Sequence, residues 1–321
     1  MLRVGTDCSG LDSPIYALNL IGIEYEHVFS SEIDASCIKT IKANNPPKIL
    51  YGDPESSTPC GDITVRDVKT VPSCDLYVCG FPCQPFSLAG SMNGFDDRRG
   101  VVFFACAEYI RVHKPKYYIF ENVKNLKNME NGYLFKTILE TLESIPGYSI
   151  THEVVNTKDY GIPQNRNRLY IVGVRQCRAF KFPETIPCPP LEHFVDREDV
   201  TKTITTNTKA DRAQICRDLA KEMKARGLPV TYFDQLHMQR SASDPIVKKG
   251  YPVAPCITCN SYHWNVTMDR RANLKELMML QGLPTSMKVV VSDSAMRKMI
   301  GNSMSVNVLF EIISNLLRPN C

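Results

Sequence analysis

Long apolar runs are missing from this chain of 321 residues, although 43% of its residues are hydrophobic. A membrane-spanning helix needs roughly 20 consecutive apolar residues, so the sequence argues against an integral membrane protein. The first ten residues, MLRVGTDCSG, already have the pattern of a strand, and we expect no secretory signal peptide. The chain is long enough to bury a sizeable core, which predicts a soluble globular protein inside the cell.

Cysteine motifs typical of a metal site are scarce. The thirteen cysteines are scattered singly, apart from one CxxC formed by Cys256 and Cys259. Because no second ligand pair stands at zinc spacing, we expect no metal and assign that pair a structural role. An odd cysteine count without a signal peptide is typical of reduced thiols in a reducing compartment.

The net charge is also small. A formal charge of +4 is too little to indicate nucleic-acid binding by itself. Its distribution is uneven, because residues 175–265 carry 14 Lys and Arg against 10 Asp and Glu. That segment therefore holds an excess equal to the net charge of the whole chain, which marks it as a candidate basic surface.

What the sequence does contain is an alternation of short apolar runs with helical patterns. This alternation predicts an α/β fold built on a doubly wound, mainly parallel sheet. Ligands of such sheets bind beyond the carboxyl ends of the strands. The predicted strands are residues 2–6, 28–31, 76–79, 117–121, 150–156 and 168–174, and the predicted helices include residues 99–113 and 132–144.

The pattern changes after Val174. A proline-rich stretch opens a less regular segment, in which a helix at residues 209–226 ends at Gly227. Helical periodicity returns at residues 272–280 and 306–317, after a turn predicted at Gly301. The predicted organisation is a first domain at residues 1–176, a smaller irregular lobe at 177–265, and C-terminal helices at 266–321 that return to the first domain.

The stretch GFPCQPFS, residues 80–87, fixes one thiol between two prolines at the end of a predicted strand. Cysteine attacks carbon as the thiolate, so a stiff turn at a sheet edge suits a nucleophile, and a buried structural cysteine is the alternative. Glu121 ends the next predicted strand. Gln164, Arg166 and Arg168 alternate in a later one and therefore face one way. Thiol, carboxyl and guanidinium groups are thus predicted to meet in one crevice.

These motifs resemble those of the cytosine C5 DNA methyltransferases. GFPCQPFSLAG, KPKYYIFENV, QNRNRLYIVG, LMMLQGLP and IGNSMSVNV occur in that family's order and approximate spacing. The resemblance implies a Rossmann-like methyltransferase sheet with a target-recognition lobe, and transfer of a methyl group from S-adenosylmethionine to C5 of a cytosine flipped out of duplex DNA. Cys83 would add to the cytosine C6, and Glu121 would be the general acid at N3. Arg168 would hold the O2, and Arg166 would steady the catalytic loop or a phosphate.

The resemblance also implies sites for the methyl donor and for DNA. Glu32 would take ribose hydroxyls and Asp62 the adenine amino group, between apolar side chains. The expected donor-binding residues are Cys8, Ser9, Gly10, Glu32, Ile33, Asp62, Ile63, Asn302 and Ser303. The expected DNA contacts are Gln84, Ser87, Gln164 and Thr258, with residues 87–98 as a mobile lid.

The first loop departs from the family pattern. TDCSGLDSP has Cys8 at an aromatic position and keeps only Gly10 of a glycine run. Asp12 can cap the following helix, but it would also bring negative charge near the carboxylate of the donor. We therefore expect this departure to affect cofactor affinity more than reaction type.

Two alternatives remain open. Enzymes of the same fold methylate tRNA, and the lobe is short as in that branch, although GFPCQPFSLAG is the form usual among DNA enzymes. The second is a nucleic-acid-binding relative without activity, suggested by the altered first loop.

The resemblance favours a compact restriction-modification or viral enzyme that acts as a monomer, in the cytoplasm of a prokaryote or an infected host, or in the nucleus.

Overall fold

The computed structural model describes most of the chain. The described residues are 1–56, 60–82, 98–176, 180–201, 253–318, the strand Phe233–Gln235 and six helical positions between 214 and 225. For residues 98–101 and 233–235 only the backbone is described. Cys83, Gln84, Ser87 and the predicted lid up to residue 97 lie outside the described residues.

A seven-stranded sheet forms the centre of the described structure. Its strands are β1 (Leu2–Asp7), β2 (Tyr25–Ser31), β3 (Ile49–Tyr51), β4 (Leu76–Cys79), β5 (Tyr117–Val123), β6 (Tyr148–Asn156) and, after a short β7 (Gln164–Asn165) outside the sheet, β8 (Asn167–Arg175). The spatial order is β3-β2-β1-β4-β5-β8-β6, in which β8 runs antiparallel to both of its neighbours. The other sheet pairings are parallel, which confirms the predicted doubly wound, mainly parallel sheet.

Helices pack on both faces of the sheet. They are α1 (Ser13–Ile21), α2 (Ala35–Asn44), α3 (Arg98–His113), α4 (Tyr133–Glu143), α5 (Leu274–Gln281), α6 (Asp293–Asn302) and α7 (Val306–Leu316). One hydrophobic core joins α1, α5, α6 and α7 to one face, and a second joins α3 and α4 to the other. Central strands are consequently buried on both sides, as in β4, where all four residues are buried.

The C-terminal part differs from the prediction at Gly301. This glycine lies in the last turn of α6 and not in a turn between helices. A Cβ at Gly301 would lie 2.3 Å from the carbonyl carbon of Thr258, so glycine is needed for close backbone approach. Neither β3 nor α6 has a counterpart among the predicted elements, because β3 has three residues and α6 has few apolar residues.

Short strands follow in the predicted lobe and, for one of them, just after it. β9 (Phe233–Gln235), β11 (His263–Asn265) and β12 (Arg270–Arg271) form a small antiparallel sheet, and β10 (Ala254–Pro255) pairs with β7. The six described positions between 214 and 225 are helical, in agreement with the helix predicted at 209–226. Within the described part of the chain, no helix is long and apolar enough to span a bilayer.

His263 gives the stability of this region a pH dependence. The imidazole is buried beside the carbonyl of Pro255, and burial lowers its pKa to about 4. Because an unfolded histidine has a pKa of about 6.5, the unfolded chain binds more protons between these values, and stability falls by about 3 kcal/mol as pH falls through that window.

We predict that His263→Gln loses less unfolding free energy than the wild type when the pH is lowered from 7 to 4. The glutamine keeps a polar side chain but cannot titrate in this range. Urea denaturation at several pH values measures the difference, with exposed His193→Gln as the control. Equal pH slopes for the wild type and His263→Gln would contradict the assignment.

Candidate active site

Antiparallel pairing of β5 with β8 brings a carboxylate and a guanidinium together. Glu121 lies opposite Tyr170, and Arg168 lies opposite Val123. Directly opposed residues share a face, and so do residues two apart on one strand, so Glu121 and Arg168 are diagonal neighbours. Nε of Arg168 is 3.0 Å from Oε1 of Glu121, which joins the two side chains as predicted.

The Glu121 carboxyl group lies in a dry environment. Only 8% of the residue is exposed. Burial raises the pKa of Glu121 above its ordinary value, while the positive charges of Arg168 and Arg166 act in the opposite direction. A carboxyl group held in this way can keep a proton at a higher pH than an exposed one, which suits a general acid.

The turn that leads to Cys83 is fixed against the same carboxyl group. Nδ2 of Asn122 donates a 3.0 Å hydrogen bond to the carbonyl of Phe81. A Cβ on Gly80 would lie 3.7 Å from Oε2 of Glu121 and 2.8 Å from Cε of Met304. The described chain therefore delivers Gly80, Phe81 and Pro82 to the edge where Glu121 lies, and Cys83 is the next residue.

Arg166 is buried in a different set of contacts. Nη1 donates to the carbonyls of Ile257 at 2.6 Å and Gly301 at 3.2 Å, and Nη2 donates to Ser303 at 2.7 Å. These bonds tie the residue before β8 to Ile257 and to the end of α6 and the segment after it. The two roles expected for Arg166, steadying the catalytic loop or a phosphate, stay predictions.

A second group of predicted residues surrounds the ends of β1 and β2. The Ser9 backbone N–H donates to the carbonyl of Ser31 at 3.1 Å, and the Gly10 N–H donates to Oε2 of Glu32 at 2.8 Å. Oε1 of Glu32 accepts from the next two amides, those of Ile33 and Asp34. The loop after β1 and the loop after β2 are thus held as one unit.

The Asp12 side chain does not make the capping contact expected of it. It occupies the residue before α1, yet its side chain makes no capping hydrogen bond. The carboxylate is turned inward, where it accepts from the hydroxyls of Thr6 at 2.8 Å and Ser30 at 2.6 Å, with His27 at 3.4 Å. Burial raises the pKa of Asp12, and His27 opposes that shift. The expected effect of Asp12 on the affinity for the donor stays a prediction.

Glycines let a third loop join the first two. A Cβ on Gly52 or on Gly61 would lie 1.9 Å or 2.0 Å from the carbonyl oxygen of Glu32, so only glycine permits this approach. The contact brings the chain of Asp62 and Ile63 beside Glu32. Ile63 is buried, whereas Ile33 is 76% exposed although it is apolar.

This set of groups fits an adenosine-containing cofactor. Carboxylates at Glu32 and Asp62 match ribose hydroxyls and an adenine amino group, and the exposed Ile33 can cover an apolar base. Oδ1 of Asp62 already accepts from Thr64, which orients its carboxylate. Asn302 is exposed, whereas the Ser303 hydroxyl donates inward to the carbonyl of Ile300.

Comparison with known proteins identifies the family. The family described as C-5 cytosine-specific DNA methylase matches residues 8–318. The chain belongs to this family. It is 35% identical over 295 residues to the Type II methyltransferase M1.ScrFI of Lactococcus lactis subsp. cremoris, covering 90% of this chain and 72% of that protein. It is 34% identical to M.HpaII of Haemophilus parainfluenzae, covering 87% and 79%.

Solved structures agree with this methylase fold. The structure of a Spodoptera frugiperda DNMT2 mutant superposes with a TM-score of 0.67 at 17% identity, covering 99% of this chain and all of that one. The Entamoeba histolytica methyltransferase EhMeth gives 0.64 at 18% identity, covering 98% of each chain. At these identities the likeness concerns the fold. The family match and the curated Type II methyltransferases identify the chain as a DNA (cytosine-5-)-methyltransferase.

Two expected DNA contacts of the methylase have different surroundings. Gln164 is buried, donates to the Leu280 carbonyl at 2.7 Å and accepts from the Ile257 amide at 3.1 Å. These bonds correct the expectation that it contacts DNA, because its amide is used within the protein. Thr258 is exposed beside Gly301, and its contact with DNA stays a prediction.

Two further features that support the methylase site are not evident from the sequence pattern. Asn122 holds the turn before Cys83, and its position inside ENV was the available signal. Arg66 and Asp7 form a buried ion pair next to the predicted donor site. An aspartate at the end of an apolar strand requires a partner when it is buried, but the sequence alone does not identify which cation supplies it.

We predict that Gln164→Leu lowers the unfolding free energy by about 1–3 kcal/mol, because several buried polar partners lose their hydrogen bonds. Denaturation measures this loss. Below the unfolding transition, the dependence of DNA affinity on salt should match the wild type, since no phosphate contact is removed. If the variant has a normal unfolding free energy but binds DNA more weakly, Gln164 contacts DNA and this assignment is wrong.

Proposed function

We propose that this enzyme transfers a methyl group from S-adenosylmethionine to C5 of a cytosine in duplex DNA through a covalent bond between Cys83 and C6. The proposal rests on one observation: the Glu121–Arg168 ion pair and the segment Gly80–Pro82 lie at the same edge of the sheet. A nucleophile placed directly after that turn would share one edge of the sheet with an acid and a cation.

Cys83 makes the ring reactive. C5 of cytosine is a poor nucleophile, so the thiolate adds to C6 and pushes electrons towards N3. The resulting enamine carries electron density on C5, the carbon that receives the methyl group. Loss of the C5 proton to a base or water and expulsion of the thiolate then restore the aromatic ring and the free enzyme.

Glu121 and Arg168 stabilise the negative charge that develops on the cytosine ring during this addition. Glu121 donates its proton to N3, and its burial, which raises its pKa, supports that role. Arg168 lies against the same carboxyl group and can hold the cytosine O2 by a charge-assisted hydrogen bond. Arg166 fixes the strand that carries Arg168 through its bonds to three carbonyl groups.

The methyl donor is assigned to the edge formed by the loops after β1, β2 and β3. S-adenosylmethionine supplies an electrophilic methyl group when bound. Glu32 and Asp62 would hold its nucleoside, Ile33 and Ile63 would contact the base, and Ser9 with Gly10 would border it. Asn302 and Ser303 complete the proposed set with Cys8.

DNA is proposed to lie between this edge and the lobe at residues 177–265. The target carbon is inside the base stack, so the cytosine must be rotated out of the duplex. The basic excess of the lobe suits phosphate contacts, and Gln84, Ser87 and Thr258 remain proposed contacts. A monomer with both ligands in one cleft is sufficient for the reaction.

A methyl-transfer assay tests the proposal. Labelled S-adenosylmethionine is incubated with mixed duplex DNA and, in parallel, with tRNA, using the wild type, Cys83→Ala and Cys188→Ala. We expect label in DNA as 5-methylcytosine for the wild type and for Cys188→Ala, and none for Cys83→Ala, because only Cys83 provides the nucleophile.

The other outcomes separate the alternatives. Label in tRNA alone would replace DNA with RNA as the substrate. Folded wild-type protein that binds DNA without labelling either substrate would support the inactive relative. Label retained in Cys83→Ala would contradict the covalent step while leaving the family assignment intact.

We also predict that Glu121→Gln lowers kcat by about 10²–10⁴-fold, because the amide cannot donate the proton. DNA and donor affinities should change little. In the wild type, kcat should fall as pH rises through the raised pKa of Glu121, because the acid form is lost, and the variant should lack that limb. If Glu121→Gln has the kcat of the wild type, Glu121 is not the proton donor.

A further inference from the structure

Arg66 makes contacts that none of the roles above uses. Nη2 lies 3.0 Å and 2.8 Å from the two carboxylate oxygens of Asp7, and Nη1 donates to the hydroxyl of Ser31. The guanidinium carbon lies 4.8 Å from the ring centre of Tyr51 and 5.9 Å from that of Phe29. Only 6% of the Arg66 side chain is exposed. One cation therefore touches the ends of β1, β2 and β3.

Each of these strand ends is followed directly by a segment of the proposed donor site. Asp7 directly precedes Cys8, and Ser31 directly precedes Glu32. Tyr51 directly precedes Gly52, which packs on the carbonyl of Glu32. Arg66 itself ends the loop that carries Asp62 and Ile63. The four segments that would surround the nucleoside thus converge on one guanidinium.

The chemistry of the contact requires arginine. Asp7 is 1% exposed, and its Oδ2 also accepts the Tyr77 hydroxyl at 2.7 Å, so the carboxylate is fully inside the protein. A planar guanidinium can bind both carboxylate oxygens, donate to Ser31 and stack on an aromatic ring at the same time. Lysine offers a compact ammonium that cannot satisfy all of these partners.

We propose that Arg66 is a positioning residue for the methyl-donor site, holding the Asp62 loop against the loops after β1 and β2. The inference rests on the proposed function, since it concerns the same donor site. It predicts that disturbing Arg66 weakens donor binding while chemistry on bound substrates and DNA binding persist. The Arg66 side chain is buried among these loops, so its effect acts through Glu32 and Asp62.

The test compares Arg66→Lys with a matched variant elsewhere. Arg270 is also buried and also pairs with a carboxylate, Glu276, at 2.9 Å, but it lies outside the donor site. Calorimetry with S-adenosylhomocysteine should show at least about 10-fold weaker binding for Arg66→Lys and wild-type affinity for Arg270→Lys. The loss of one charge-assisted contact is enough to change a dissociation constant about 10-fold. The KM for S-adenosylmethionine should rise for Arg66→Lys with little change in kcat.

A second variant keeps the test decisive if the lysine protein does not fold. Asp7→Asn combined with Arg66→Gln removes both charges and leaves neither one buried alone. It should also bind S-adenosylhomocysteine at least about 10-fold more weakly, because the contacts of the guanidinium with Asp7 and Tyr51 are lost. Duplex DNA affinity, measured without donor, should match the wild type in every folded variant.

The outcomes distinguish this inference from the proposed function. If the wild type binds S-adenosylhomocysteine and Arg66→Lys or the double variant binds it equally well, Arg66 is structural and the inference is wrong. Equal weakening in Arg270→Lys would show a general effect of stability and would also overturn it. Absence of binding by the folded wild type would instead contradict the donor site of the proposed function.

Discussion

Buried carboxylates at the carboxyl edge of the sheet are the constraint on which the structure of both proposed sites depends. A buried charge is costly unless a cation or hydrogen bonds compensate it. Glu121 is compensated by Arg168 from a neighbouring strand, and Asp7 by Arg66 from a loop. Each pairing joins segments that are distant in sequence, so charge compensation also fixes the geometry of the edge.

The two sites are parts of one framework. β4 lies between β1, which leads to the proposed donor site, and β5, which carries Glu121. Gly80 follows β4 and lies against both Glu121 and Met304. The segment before Met304 is in turn bound by Arg166 through Ser303. The Ile257 carbonyl also accepts from Arg166, so residue 257 is joined through a chain of contacts to the edge that carries Glu121.

Sequence patterns predict the parts of this framework that depend on local chemistry. Strand alternation gives the sheet, and the spacing of ENV and QNRNR places Glu121 and Arg168 at one edge. Patterns do not reveal long-range partners, such as the carbonyl of Leu280 for Gln164 or the carboxylate of Asp7 for Arg66. Asp12 illustrates the same limit, because only the fold brings Thr6, Ser30 and His27 to its carboxylate. Gly301 predicts a turn by residue type, whereas its conformation reflects close packing on Thr258.

The most direct test of the covalent chemistry uses duplex DNA in which 5-fluorocytosine replaces cytosine at the methylated position. A base can remove hydrogen from C5 as a proton but cannot remove fluorine as a cation. The thiolate of Cys83 therefore cannot be eliminated from C6 after methyl transfer. The account predicts a stable protein–DNA adduct that needs S-adenosylmethionine and that mass spectrometry maps to Cys83. An adduct on another of the thirteen cysteines, or none on a duplex whose ordinary counterpart is methylated, would contradict it.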